Sequence, residues 1–262
     1  MITAGIVWLA LAPACGDDGG DGGDDAGVSD DAGASDAAEV DAAESFCDPG
    51  LLFLTGEYID WDSAPDQFLG VVGAMVSDAA DDLPISATTA PNGRLIMCLS
   101  DPVRSPLTVS QPDYVRILYT ADAAVMAVSA FSLRGLTPAR RDLLFTEIGR
   151  VRDVERAQLL VSIDVTDGSA PGLTTAPGEP AIGAGATLDT PGDGTFVRNA
   201  AGNYVEGATL SDGRLLLFSN VPIGDGTVGV TITPPAGATC SGPARVTVQA
   251  GELSAATFVC EE

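Results

Sequence analysis

The chain has 262 residues, a net charge of −25, no His, and twelve basic residues that are all Arg. A surface this acidic repels DNA, RNA and anionic lipid, so nucleic-acid binding is excluded as a function class. The lack of His and Lys removes the commonest general bases and every amine nucleophile, which argues against an enzyme. Mean hydropathy is nevertheless positive and 45% of residues are hydrophobic, so there is ample material for a folded core.

In chain order, the apolar run Ile6-Val7-Trp8-Leu9-Ala10-Leu11 leads through Ala12-Pro13-Ala14 to Cys15, and the string Gly16-Asp17-Asp18 follows at once. The run is too short to span a bilayer, which takes roughly 20 apolar residues. Apolar run, small residues, Cys and polar tether together resemble the signal peptide of a bacterial lipoprotein. The resemblance implies that residues 1–15 form the signal and lipobox, and that Cys15 is lipidated. It further implies that the mature protein is held at the cell envelope, on the outer membrane. Residues 16–46 contain nine Asp and two Glu with no basic residue and almost no large apolar side chain. Such a segment cannot bury enough surface to offset its ordering entropy, so it is expected to be a disordered spacer. A flexible coil of this length spans on the order of 30 Å, and self-repulsion lengthens it. No calcium nonapeptide repeat or EF-hand loop occurs in it.

Apart from Cys15 there are four cysteines: Cys47, Cys98, Cys240 and Cys260. An even count in an exported chain points to two disulfides, against the alternative of four free thiols in a reducing cytoplasm. Of the three possible pairings, proximity favours Cys47–Cys98 and Cys240–Cys260. With no His and no Cys-x-x-Cys spacing, a zinc site is not expected.

Beyond Cys47 the sequence repeats itself. Thr89-Ala90-Pro91-Asn92-Gly93-Arg94-Leu95 recurs as Thr209-Leu210-Ser211-Asp212-Gly213-Arg214-Leu215, and Gly73-Ala74-Met75-Val76 as Gly185-Ala186-Thr187-Leu188. Asn-Gly and Asp-Gly are tight-turn dipeptides, because Gly takes positive φ freely and Asn or Asp tolerates it. The apolar runs after them, and the alternating segments Val228–Ile232, Ala244–Val248 and Ala256–Val259, predict short strands at sandwich spacing. Gly-Ala-x-Val followed by Thr-x-x-x-Gly-x-Leu is similar to carboxypeptidase regulatory-like domains, which are transthyretin-like sandwiches. The resemblance covers about residues 50–130 and 158–262 and implies a fold and an accessory role, with no catalytic residues to carry over. The expected fold class is therefore mainly β. Two prealbumin-like or Ig-like sandwiches, residues 47–135 and 158–262, are joined by a helical connector over residues 136–157.

In that connector Thr137-Pro138 predicts an N-cap followed by Pro at the first helical position, with Leu144, Ile148 and Val151 on one face. Six of the twelve Arg fall between Arg134 and Arg156. They read either as a docking face for an acidic partner or as a solvated face paired with Asp142, Glu147, Asp153 and Glu155.

The remaining candidate site is Tyr58-Ile59-Asp60-Trp61-Asp62. On a strand, Asp60 and Asp62 share a face about 7 Å apart. With Asp66 they could hold calcium, and Trp61 could stack on a sugar; paired carboxylates also suit a hydrolase. The function expected from the sequence is a non-enzymatic interaction or structural module of the envelope, anchored to the membrane by its lipid. An envelope protein or glycan would be its partner, and no obligate cofactor is implied. A calcium- or carbohydrate-binding surface module is the alternative, and a carboxylate-dependent hydrolase the second.

Overall fold

The computed structural model describes residues 46–63, 69–78, 86–100, 106–168, 178–199 and 201–261. Cys15, the acidic segment up to residue 45, and Asp66 lie outside them. The elements in order are β1 (Leu51–Asp60), β2 (Met75–Asp78), β3 (Ser86–Thr88), β4 (Arg94–Ser100), β5 (Leu107–Ser110), β6 (Ile117–Thr120), α1 (Ala123–Met126), β7 (Phe131–Gly135) and α2 (Pro138–Glu147). They continue with β8 (Ala157–Val165), β9 (Glu179–Pro180), β10 (Gly185–Leu188), β11 (Gly194–Arg198), β12 (Tyr204–Glu206), β13 (Leu215–Val221), β14 (Thr227–Thr233), β15 (Thr239–Ser241), β16 (Arg245–Thr247) and β17 (Leu253–Glu261). The fold is mainly β.

The internal repeat is a repeat of strand pairing. In the first copy β1 lies between antiparallel β4 and parallel β7; in the second, β8 lies between antiparallel β13 and parallel β17. Facing these, β2–β5–β6 and β10–β14–β16 are matching antiparallel triplets. Hydrogen bonds set the register between copies. Tyr58 N donates to Gly93 O and Ile163 N to Arg214 O, while Gly73 N donates to Thr89 O and Gly183 N to Leu210 O. Gly73 and Gly183 both sit at positive φ, 72° and 88°.

The structure thus corrects the sequence alignment. Gly183-Ala184, rather than Gly185-Ala186, matches Gly73-Ala74, and Leu95 matches Leu216, one residue past Leu215. A one-residue slip reverses the face of every side chain in a strand. Leu95 and Leu216 accordingly each enter the core of their own copy.

The two sandwiches are not separate. β17 runs parallel to β6 of the first copy and to β8 of the second, fusing them into one eleven-stranded sheet. Alternation along the fused strands feeds two cores. Leu160, Leu217, Leu253 and Ala255 join the core under β1–β4–β7. Leu159, Val161, Leu216, Ala256 and Phe258 join the core under β10–β14–β16. Burial on both faces explains why β8, β13 and β17 are mostly apolar without regular polar alternation, since these strands have no solvent face.

Both disulfides form as Cys47–Cys98 and Cys240–Cys260, closing loops with sequence separations of 51 and 20. Each restricts the unfolded chain by roughly 2–4 kcal/mol. The connector begins as expected: Thr137 caps α2 by accepting from Arg140 N, Pro138 opens the helix, and Leu144 and Phe145 are buried. Val151 departs from the expected face. It lies past the helix end and is 87% exposed, because Gly149 at φ 64° turns the chain after Ile148.

Asn220 ties this connector to the second copy. It sits at the irregularity in β13 with φ 49°, the sole non-Gly residue with positive φ among the described residues. Its Nδ2 donates to Val151 O and to Asp193 Oδ2, both at 2.7 Å, and its Oδ1 accepts from Asp153 N at 2.9 Å. Asn is the non-Gly residue best suited to this backbone region. Asn220→Ala should therefore destabilise the protein by roughly 2–3 kcal/mol in urea unfolding, through strain and unsatisfied buried groups. Asn220→Gly, which keeps the backbone at ease, should lose less.

Candidate functional site

A cleft of about 580 Å³ opens where the two copies meet. One wall is the face of β1 and β7 that points away from the core, with Glu57, Ile59, Ser132 and Arg134. The other comes from the second copy: Arg198 at the end of β11, Asn199, Ala201, Gly202 and Asn203 beyond it, and Asp212-Gly213-Arg214-Leu215 leading into β13. Arg140, in the first turn of α2, closes one end.

Four of the twelve Arg converge here, in two chemical settings. Arg140 Nε lies 2.7 Å from Asp62 Oδ1 and its Nη1 3.1 Å from Glu147 Oε2. Burial works to lower its pKa, yet the bonds and charges of the two acids outweigh that and leave it raised. Arg214 Nη1 stands 3.5 Å from Asp164 Oδ1, within ion-pair range but without a hydrogen bond to that oxygen.

Arg134 and Arg198 are different. Arg134 Nη1 donates to Trp61 O at 3.3 Å and to Ser63 O at 3.0 Å, and Arg198 Nη2 donates to the same Trp61 O at 3.4 Å. Two guanidinium nitrogens on one carbonyl cannot be more than about 7 Å apart. Neither forms an ion pair with a carboxylate among the described residues. Burial lowers the Arg134 pKa to about 10, with the charge of Arg198 and, more weakly, that of Arg214 pushing the same way, and with Tyr204 and then Glu57 opposing. The pair is thus a concentrated, poorly neutralised positive charge in an acidic protein.

Of the residues expected to form a ligand site, Asp62 lines this cleft, whereas Asp60 and Trp61 are placed otherwise. Trp61 is 1% exposed and its ring stacks on Tyr204 at 5.6 Å, so it offers no face to a sugar; only its carbonyl matters to the cleft. Asp60 and Asp62 do not converge on a common point. Asp60 Oδ2 accepts from Tyr114 at 2.8 Å and its Oδ1 from Asp62 N at 3.0 Å, whereas Asp62 turns to Arg140. Burial and the Asp60 bond push the Tyr114 pKa up to about 12. Among the described residues, no group of three or more His, Cys, Asp or Glu is arranged to hold a metal. The Arg-rich stretch resolves mostly into pairs: Arg152 with Asp142, Arg156 with Asp153 and Asp193, and Arg150 with Glu206.

Arg198 escaped sequence reasoning because nothing local marks it. Arg214 lay in the repeated turn, and the scarcity of basic residues was the one signal that could have singled out both.

Behind Arg214, Asp164 is fully buried on β8. Burial raises its pKa to about 7, with Arg214 and the hydroxyl of Ser162 pulling it back and Glu179 on β9 adding to the rise. An unfolded Asp loses its proton near pH 3.9. Between about pH 4 and 7 the folded state therefore binds the extra proton, and this residue's contribution to stability falls as pH rises. Thermal melts should show Asp164→Asn gaining on the wild type by several degrees from pH 4.5 to pH 8. A constant difference across that range would show that Asp164 is ionised throughout.

No protein-family profile matches the sequence, and no curated protein matches it. Several solved structures are distantly similar. The Bacillus anthracis TIE protein matches at TM-score 0.26 with 12% identity, over 81% of this chain and 34% of that one. A double mutant of the shaft pilin SpaA from Lactobacillus rhamnosus GG matches at TM-score 0.23 with 11% identity, over 80% of this chain and 97% of that one. The major pilin protein from Streptococcus pyogenes matches at TM-score 0.20 with 10% identity, over 81% and 97%. This chain spans about a third of the length of the first. Likenesses at this level assign neither a family nor a function.

Proposed function

We propose that this protein is a non-enzymatic interaction module of the cell envelope, anchored to the outer membrane by a lipid on Cys15. The acidic segment 16–46 would hold it away from the membrane. Two prealbumin-like sandwiches would then present the inter-copy cleft to an envelope protein or glycan. The observation that carries the reading is the Arg134–Arg198 pair. Two guanidinium groups held by a carbonyl, and ion-paired to no carboxylate among the described residues, form a site whose charge an incoming anion would relieve. Guanidinium groups bind and orient; at neutral pH they do not abstract protons. The paired disulfides support an oxidising compartment, as expected of an exported chain.

Two measurements test the two halves of the proposal. Cells expressing the wild type should incorporate radiolabelled palmitate and retain the protein in the membrane fraction, and Cys15→Ser should do neither. Label retained by Cys15→Ser would remove the anchor. Purified protein should sediment with envelope fragments from its own host, and Arg198→Ala should weaken that association about tenfold or more. Undiminished association of a folded Arg198→Ala protein would remove the cleft from the function.

A further inference from the structure

The chemistry of the cleft narrows what it can receive, on the reading that it is a binding site. Its walls carry both signs of charge: four Arg and the acids Glu57, Asp62 and Asp212. The positive part is the Arg134–Arg198 pair over Trp61 O. The negative part is Glu57 on β1 and Asp212 in the turn before β13, both lining the same space. Each of these acids has one oxygen engaged, Glu57 Oε1 by the Ser132 hydroxyl and Asp212 Oδ1 by that of Ser211. Among the described residues the second oxygen of each accepts no hydrogen bond.

A polyanionic chain would be drawn by the arginines but repelled by the carboxylates of Glu57 and Asp212 lining the same space. A neutral sugar would leave the guanidinium pair uncompensated. A ligand with one negative group and several hydroxyl donors satisfies both. Asn199 and Asn203, in the turn after β11, add amide groups of the kind that exchange hydrogen bonds with hydroxyls. Among the described residues no aromatic ring lines the cleft, so the described walls offer polar groups rather than stacking. The volume of about 580 Å³ lies in the range of small-molecule sites.

The geometry points to a sugar acid as the ligand of this cleft: a uronate-type monocarboxylate. Its carboxylate would lie between Arg134 and Arg198, and its hydroxyls would donate to Glu57 and Asp212. The planar guanidinium fork matches a carboxylate through paired hydrogen bonds, which a point charge cannot do.

Isothermal titration calorimetry on the full chain tests this with four probes: D-glucuronate, D-glucose, inorganic phosphate and a tetra-aspartate peptide. D-glucuronate should bind, and the other three should bind at least tenfold more weakly. Arg198→Ala should weaken glucuronate binding about tenfold or more, and Arg198→Lys, which keeps the charge without the fork, should fall between. Arg134→Lys provides a second variant should Arg198→Ala fail to fold, as judged by its thermal melt. Glucose binding as tightly as glucuronate would overturn the role of the carboxylate. Phosphate or tetra-aspartate binding as tightly would overturn the role of the hydroxyls. No binding of glucuronate, or binding indifferent to both arginines, would overturn the assignment outright. If glucuronate fails while envelope association still depends on Arg198, the sugar acid falls and the interaction module stands.

Discussion

The structure depends on where the last strand goes. β17 runs parallel to β6 on one side and β8 on the other, with Leu253 opposite Ile117 and Gln158. Parallel neighbours cannot be joined by a tight turn, so each of these pairings is made by distant parts of the chain. The strand completes the second sandwich as β7 completes the first, and it also fuses the two sheets. Its far end is held by β15 and by the Cys240–Cys260 disulfide. Without β17 the second copy loses its edge-covering strand and the first loses the layer that closes its core.

That fusion creates a sheet with no solvent face over its central strands, and polar groups there need partners from within the protein. Gln158, Asn220, Ser162 and Asp164 are such groups. Gln158 and Asn220 bond each other across β8 and β13, and Asn220 reaches on to the connector. Ser162 donates to Asp164 Oδ2 at 3.3 Å, and Asp164 faces Arg214. The cleft is thereby tied to the most buried part of the fold. Arg214 lines the cleft while its counter-ion Asp164 lies inside the central sheet, and Arg134 lines it from β7, the structural counterpart of β17.

Much of this was legible in the sequence. The turn at Asn92-Gly93 shows why: Gly93 takes φ 76°, and a Cβ there would run into Tyr58 O, so the residue types report the backbone directly. Thr137-Pro138 marks its helix start for the same reason. The register of the second copy was not legible, because four consecutive apolar residues, Leu215 to Phe218, look alike whichever face each one takes. Only the hydrogen bonds separate Leu216, in the core, from Leu215, on the cleft. Asp60-Trp61-Asp62 looked like a site because acids beside an aromatic are conspicuous, yet the ring is buried on Tyr204 and the acids serve Tyr114 and Arg140. This segment serves the cleft through Asp62, which holds Arg140, and through the Trp61 carbonyl, which every residue type possesses and no sequence pattern can mark.

The absence of Lys takes on meaning at the same place. A cation at position 134 is largely buried and faces two other cations, and these influences lower its pKa to about 10. Arginine begins high enough to remain fully charged at neutral pH after that loss. A lysine, starting near 10.4, would be driven toward its neutral form by the same burial and repulsion. It would also lack the planar fork that lets two side chains share one carbonyl and still present donors outward. A crowded, half-buried positive cleft in an acidic protein is therefore a place where arginine works and lysine does not. The fold tolerates that crowding because Trp61 O and Ser63 O hold the guanidinium groups in position, so the anion proposed for the cleft would meet donors already arranged.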